Sequence, residues 1–150
     1  RSRVGHSFIK AMMAQSGAIF GGEHSGHFYF ADFWRADSGM LAALHAIAAL
    51  GESEKTLSEL LAPYARYFAS GEINSTVSDS KAIMAGIKES YGSKPGVTTD
   101  ELDGLTVDGD TWWFNVRASN TEPLLRLNVE AKTQSQMQAL RDEVLAVIRG

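Results

Sequence analysis

The chain has 150 residues, 44% hydrophobic and 21% charged, which is enough to bury one sizeable core or two small ones and too apolar for a disordered tail. Lys and Arg number 14 against 18 Asp and Glu, a net charge of -4, so a basic nucleic-acid surface is excluded as its main business. Cysteine is absent, which removes disulfide scaffolds, zinc ribbons and thiol nucleophiles together and is compatible with a reducing compartment.

In chain order, Phe8, Ile9, Met12 and Met13 recur at helical spacing between Ser7 and Gln15, and Gly17 stands where that helix would stop. Ala18 to Phe20 predicts a brief strand, Gly21 to Gly26 a loop, and Phe28 to Phe30 a second strand. A second helix is expected from an N-cap at Ser38 to Leu50, with Gly51 as its stop; Leu41, Leu44, Ile47 and a run of alanines make it apolar almost all round, so burial on several sides is expected. That apolar run, Met40 to Leu50, includes His45 and falls far short of the roughly 20 residues a membrane span requires. His45 itself is expected in a core or an interface. Nor does a signal-type stretch follow Arg1-Ser2-Arg3; the chain reads as starting within something longer.

Thr56 and Glu59 form a capping box for a short helix through Leu57, Leu60 and Leu61, which Pro63 kinks or ends. A domain boundary or hinge is expected between Ala62 and Gly71, giving domains 1–65 and 66–150. Beyond it, Gly71 to Val77 predicts a strand. Ser80 to Tyr91 predicts an amphipathic helix that turns Ile83, Met84, Ile87 and Tyr91 inward. Leu105 to Val107 and Thr111 to Arg117, joined by Asp108-Gly109, predict a hairpin. From Leu124 to Ala131 the alternation is clean, with Leu125, Leu127, Val129 and Ala131 on one face. Thr133 with Gln136 at capping-box spacing opens a last helix that buries Met137, Leu140, Val144, Val147 and Ile148. The second half is therefore expected to be α+β, with helices on one face of a largely antiparallel sheet.

Two loops concentrate the chemistry. Arg117-Ala118-Ser119-Asn120-Thr121-Glu122-Pro123 joins the two strong strands and is dense in donors. Arg offers a planar fork to phosphate oxygens, Ser and Thr add hydroxyls, and consecutive N–H groups can form an anion nest. An ordinary turn that satisfies its own backbone is the alternative, and Glu122 works against an anion. Glu23, His24, Ser25 and His27 crowd a Gly-rich stretch, and with His6 they admit either a metal site or a sugar site. The stretch lacks a His-Glu-x-x-His helix, and a carboxylate and hydroxyl on a loop suit vicinal ring hydroxyls, with a His for proton transfer. Asp108-Gly109-Asp110 resembles a magnesium-loop fragment but sits where a hairpin favours Asp-Gly. Trp112 and Trp113 lack the interleaved basic residues of a nucleic-acid stacking surface.

Taken together, Val4-Gly5-His6-Ser7-Phe8-Ile9-Lys10, Gly22-Glu23-His24-Ser25-Gly26-His27 and the 117–123 segment resemble three ordered signatures of the α-D-phosphohexomutases. The nearest branch is phosphomannomutase/phosphoglucomutase. The resemblance implies an α/β fragment, the end of that family's third domain, followed by its small fourth domain, α+β and TATA-box-binding-protein-like. It further implies a cytoplasmic enzyme that interconverts hexose 1-phosphate and hexose 6-phosphate through a phosphoserine and a bisphosphorylated sugar. In that frame Glu23 and Ser25 bind sugar hydroxyls, His6 and His27 line the cleft with His27 assisting proton transfer, and Arg117, Ser119, Asn120 and Thr121 hold the non-reacting phosphate. Mannose or glucose 1- or 6-phosphate is the implied ligand, and the family's N-terminal domains are the implied partners; neither nucleic acid nor membrane is. The family's nucleophilic Ser loop and its Asp-Gly-Asp-x-Asp-Arg magnesium loop are both missing here. Mg2+ is therefore expected outside this chain, which should bind and not turn over alone. His24 fits the mannose/glucose branch better than the glucosamine branch. A phosphoglucosamine mutase fragment and a non-catalytic sugar-phosphate binding module stand as alternatives.

Overall fold

A computed structural model describes residues 1–119 and 122–150. The chain divides into two compact units, Arg1–Tyr64 and Ala65–Gly150.

In the first unit, helix α1 (His6–Ser16) ends at Gly17, whose left-handed backbone closes it. Strands β1 (Phe20–Gly22), β2 (Phe28–Phe30) and β3 (Ala36–Asp37) form an antiparallel sheet in that order, with Phe20 opposite Phe30 and Tyr29 opposite Asp37. Ile9 and Met13 of α1 and Tyr29 of β2 form its core, with Ala18 and Ala31 at the margin. Only one face of α1 is therefore used; Phe8 and Met12 remain exposed. Helix α2 (Gly39–Gly51) starts at the expected cap, where Ser38 accepts from the Leu41 N–H at 3.2 Å. Helix α3 (Leu57–Leu61) has its capping box complete, and the chain tightens into a 3-10 turn at Ala62–Tyr64 around Pro63.

The expectation that α2 is buried on several sides is not met within this unit. None of its residues is buried; Met40 is 77% and Ile47 65% exposed. The sheet is short and reaches only one flank of the helix, where Phe30 stacks on the exposed His45 with centroids 5.4 Å apart. Phe20, Phe28, Phe33 and Leu41 line the open apolar groove between them.

The second unit contains β4 (Phe68–Ala69), β5 (Ile73–Thr76), α4 (Ser80–Gly92), β6 (Thr98–Asp100), β7 (Leu105–Asp108), β8 (Trp112–Ala118), β9 (Leu124–Ala131) and α5 (Gln134–Arg149). Its sheet is antiparallel throughout, in the order β4-β9-β8-β7-β6, with β5 also paired to β9. One face carries Phe114, Val116, Leu125, Leu127 and Val129 into the core, under Ile87 and Tyr91 of α4 and Met137, Leu140 and Val144 of α5. The α+β expectation thus holds. Strands β3, β4 and β6, two or three residues each, were not expected from the sequence.

The hairpin turn is displaced from Asp108-Gly109: Gly109 N–H donates to the Trp112 carbonyl at 2.9 Å, Asp110 takes a positive φ of 67°, and its N–H donates to Asp108 Oδ1 at 3.1 Å. Gly109 is needed for space, since a Cβ there would fall 2.2 Å from the Trp112 ring. Thr133 caps α5 by accepting from the Gln136 N–H, but the Gln136 side chain donates to Thr111 Oγ1 at 2.9 Å instead of closing the box. Among the described residues, no helix is long and apolar enough to cross a membrane.

Candidate functional site

The β1–β2 hairpin presents the first candidate loop. Its ends are closed by Glu23 N–H donating to the His27 carbonyl at 2.9 Å and Gly26 N–H donating to the Glu23 carbonyl at 3.0 Å. Gly26 supplies the positive φ of 85° that the tight return requires. Ser25 and His24 are exposed at the tip.

Glu23 is held at both carboxylate oxygens. Oε1 accepts from the Tyr29 hydroxyl, and Oε2 accepts from the Gly5 N–H at 3.2 Å, tying the loop to the residue before α1. Tyr29 is buried, and that burial first, then the Glu23 carboxylate beside it, holds its hydroxyl protonated well above the usual tyrosine range. His6 follows Gly5 directly, is exposed, and lies with Nε2 3.4 Å from Ser7 Oγ.

His27 forms the second anchored group. Its Nδ1 lies 2.6 Å from Asp37 Oδ2, while Asp37 Oδ1 accepts from the Phe28 N–H at 2.8 Å. The hydrogen bond to Asp37, followed by that residue's charge, raises the His27 pKa above its ordinary value, and the same bond lowers that of Asp37. Nδ1 is thereby committed, and the exposed ring keeps Nε2 for a ligand.

Tyr29 and Asp37, which hydrogen-bond the candidate residues Glu23 and His27, were not singled out from the sequence. The strand alternation that puts Tyr29 inward between Phe28 and Phe30 was a usable signal; the pairing that brings Asp37 to His27 had none. Among the described residues, no group of three or more His, Cys, Asp or Glu side chains is placed together as a metal site would need. In the β7–β8 turn, Asp108 Oδ1 accepts the Asp110 N–H at 3.1 Å, as the turn reading of Asp108-Gly109-Asp110 expects.

The second candidate loop follows β8. Arg117, on the last turn of that strand before the loop, sits with Nη1 3.5 Å from Asp103 Oδ2 and Nη2 3.9 Å from Glu72 Oε2. Ser119 N–H donates to the Leu124 carbonyl at 2.9 Å, closing the loop base. Asn120 and Thr121, the other two expected phosphate ligands, lie outside the described residues. Asp103 and Glu72 come from the loops before β7 and β5, and only the strand pairing brings them to Arg117.

Residues 1–67 match the family model described as phosphoglucomutase/phosphomannomutase, alpha/beta/alpha domain III, and residues 72–147 match that of the phosphoglucomutase/phosphomannomutase C-terminal domain. The chain is 44% identical over 148 residues to a phosphomannomutase of Methanocaldococcus jannaschii, covering 99% of this chain and 32% of the relative. It is 41% identical over 150 residues to phosphohexose mutases of Xanthomonas campestris, covering 99% of this chain and 33% of the relative. A crystal structure of a phosphoglucomutase/phosphomannomutase family protein from Burkholderia thailandensis superposes with a TM-score of 0.80 at 25% identity, over 99% of this chain and 31% of that one. The chain spans about a third of the length of these curated relatives.

Proposed function

Because the chain belongs to the phosphoglucomutase/phosphomannomutase family, we propose that it supplies the sugar-holding and phosphate-holding parts of a cytoplasmic enzyme that interconverts hexose 1-phosphate and hexose 6-phosphate. The phosphoserine and Mg2+ of that reaction are assigned to the portion of the relatives' length beyond this chain. The residues here bind and orient, and the chain alone is inactive.

The observation that carries the reading is the Glu23 carboxylate. Gly5 N–H and Tyr29 Oη each engage one of its oxygens, and a carboxylate oxygen has a second lone-pair site free for a ring hydroxyl. Held this way, Glu23 loses little freedom when a mannose or glucose phosphate arrives, and Ser25 adds a hydroxyl that both donates and accepts. His27, anchored through Nδ1, donates from Nε2 when charged and accepts a proton there when neutral, as a sugar hydroxyl gaining or losing a phosphoryl group requires. His6 completes this group. In the second unit, Arg117, Ser119, Asn120 and Thr121 grip the phosphate that is not being transferred, so that either end of the sugar can be presented for reaction.

An amide-shift titration tests both assignments. Mannose 1-phosphate should move the signals of residues 23–27 and 117–121, and inorganic phosphate only the latter. Arg117→Ala should weaken the phosphate response by about 10- to 100-fold, since a charge-assisted pair contributes on the order of 1.5 to 3 kcal/mol, with amide dispersion retained. Silence of residues 23–27 toward the sugar phosphate would sink the sugar assignment, and an unweakened Arg117→Ala response would sink the phosphate one.

A further inference from the structure

Tyr29 is 1% exposed and lies in the core of the first unit with Ile9 and Met13 of α1. Its register partner across the β1–β2 ladder is Gly21, where a Cβ would fall 3.1 Å from Ile9 Cγ2 and 3.2 Å from Met13 Sδ, so α1 settles onto the sheet over a glycine and encloses the ring. This packing asks for an aromatic ring at position 29 and nothing more, and the neighbours on β2, Phe28 and Phe30, are phenylalanines. A buried hydroxyl adds a desolvation cost that only a hydrogen bond offsets. Here that bond goes to Glu23 Oε1. Glu23 Oε2 is held from a different element, by the Gly5 N–H at 3.2 Å. Gly5 also starts α1, its carbonyl accepting from the Phe8 and Ile9 N–H groups at 3.0 and 3.2 Å, so the helix fixes where its peptide lies. The two donors grip different oxygens of one carboxylate, from β2 and from the start of α1, and together fix a carboxylate plane that either alone would leave free to turn.

Resting on the sugar reading of Glu23, we propose that Tyr29 is a positioning residue for sugar selection: its hydroxyl, acting through Glu23, sets the direction of the acceptor sites that the carboxylate keeps for the hydroxyls of a hexose phosphate. With Oε1 and Oε2 each engaged once, an acceptor site remains on each oxygen, and an ionised carboxylate takes only ligand groups that donate. Without the Tyr29 hydroxyl the charge would stay but its last torsion, broad in energy, would be loose. The ordering now built into the free protein would then have to be met on binding. Being buried, Tyr29 touches no ligand itself.

Amide-shift titrations of the chain with mannose 1-phosphate and with inorganic phosphate test this. Tyr29→Phe keeps the ring and should weaken mannose 1-phosphate about tenfold while leaving inorganic phosphate within about twofold. Tyr91→Phe removes the same kind of bond in the second unit, where Tyr91 Oη donates to Glu143 Oε1 at 2.7 Å, and should leave both ligands within about twofold. In a Glu23→Ala background, which still holds mannose 1-phosphate by its phosphate, Tyr29→Phe should weaken it no further. A further loss there would show that Tyr29 acts through core packing, and would overturn the proposal. So would mannose 1-phosphate binding to Tyr29→Phe as to the unaltered chain while Glu23→Ala weakens it, an outcome that leaves the sugar reading standing. If Glu23→Ala itself leaves the mannose 1-phosphate response intact, the sugar reading fails and takes this inference with it. Should Tyr29→Phe lose its amide dispersion, the unaltered chain decides: the Tyr29 hydroxyl proton should give a downfield resonance in slow exchange with water that vanishes in Glu23→Ala, and its absence would overturn the proposal.

Discussion

His27 and Asp37 share one hydrogen bond at 2.6 Å, and each ionisation reports on it. The raised His27 pKa means that its contribution to stability is full below the unfolded value, about 6.5, and is lost as pH rises through the folded value. The lowered Asp37 pKa works from the other side: its contribution is present above the unfolded value, about 3.9, and is lost as pH falls through the folded one. The pair is therefore best formed in the window where Asp37 is ionised and His27 charged. Asp37→Asn should move the His27 pKa down toward about 6.5, read from the ring proton shifts across a pH series; an unmoved midpoint would show that the bond does not form in solution. In the proposed enzyme the same substitution should also narrow the acidic side over which His27 Nε2 is a donor.

At the level of elements, the Arg117 site depends on how closely the chain before β7 approaches β8. Gly104 has a φ of 73°, and a Cβ there would lie 2.5 Å from the Val116 carbonyl oxygen and 2.9 Å from the Arg117 Cα. Both obstacles are backbone, so neither can rotate aside. Asp103, the Arg117 partner, is the adjacent residue, and its carbonyl also accepts from Asn115 Nδ2 at 2.9 Å. Gly104→Ala should therefore cost at least about 1–2 kcal/mol from the left-handed backbone alone, more from the clash, and should displace Asp103 from Arg117. The check is a urea titration paired with phosphate binding. Stability and affinity should fall together, and normal values of both would show that the loop has room to move.

For the molecule as a whole, the second unit is organised around Phe114, fully buried, ringed by Tyr91 edge-on at 5.0 Å and stacked with Trp112 at 6.1 Å. Phe114→Ala should destabilise that unit by about 3–5 kcal/mol, measured by the urea dependence of amide signals from α5. Signals of the first unit's core, Ile9, Met13 and Tyr29, give the comparison, because one unfolding free energy is not defined for a chain of two units. Long elements with a strong period were legible before folding was considered: β9 with its strict alternation, the α5 stripe of Met137, Leu140, Val144 and Ile148, though not Val147, which was expected inside and is exposed, and the caps at Ser38, Thr56 and Thr133 are properties of neighbours in the chain. Glu23, Ser25 and His27 were likewise legible as polar residue types on one loop, whereas Arg117 lies within β8. The exposure of α2 was not legible, because an apolar helix carries no mark of whether anything in the same chain covers it. Nor were Asp37 behind His27 or Asp103 and Glu72 around Arg117, which meet across turns or strand pairings. The sequence by itself determined the periodicities, caps and donor types, since these depend on spacing along the backbone; only the tertiary structure decided which charge faces which, since that depends on strand register, and register is set by packing at a distance along the chain.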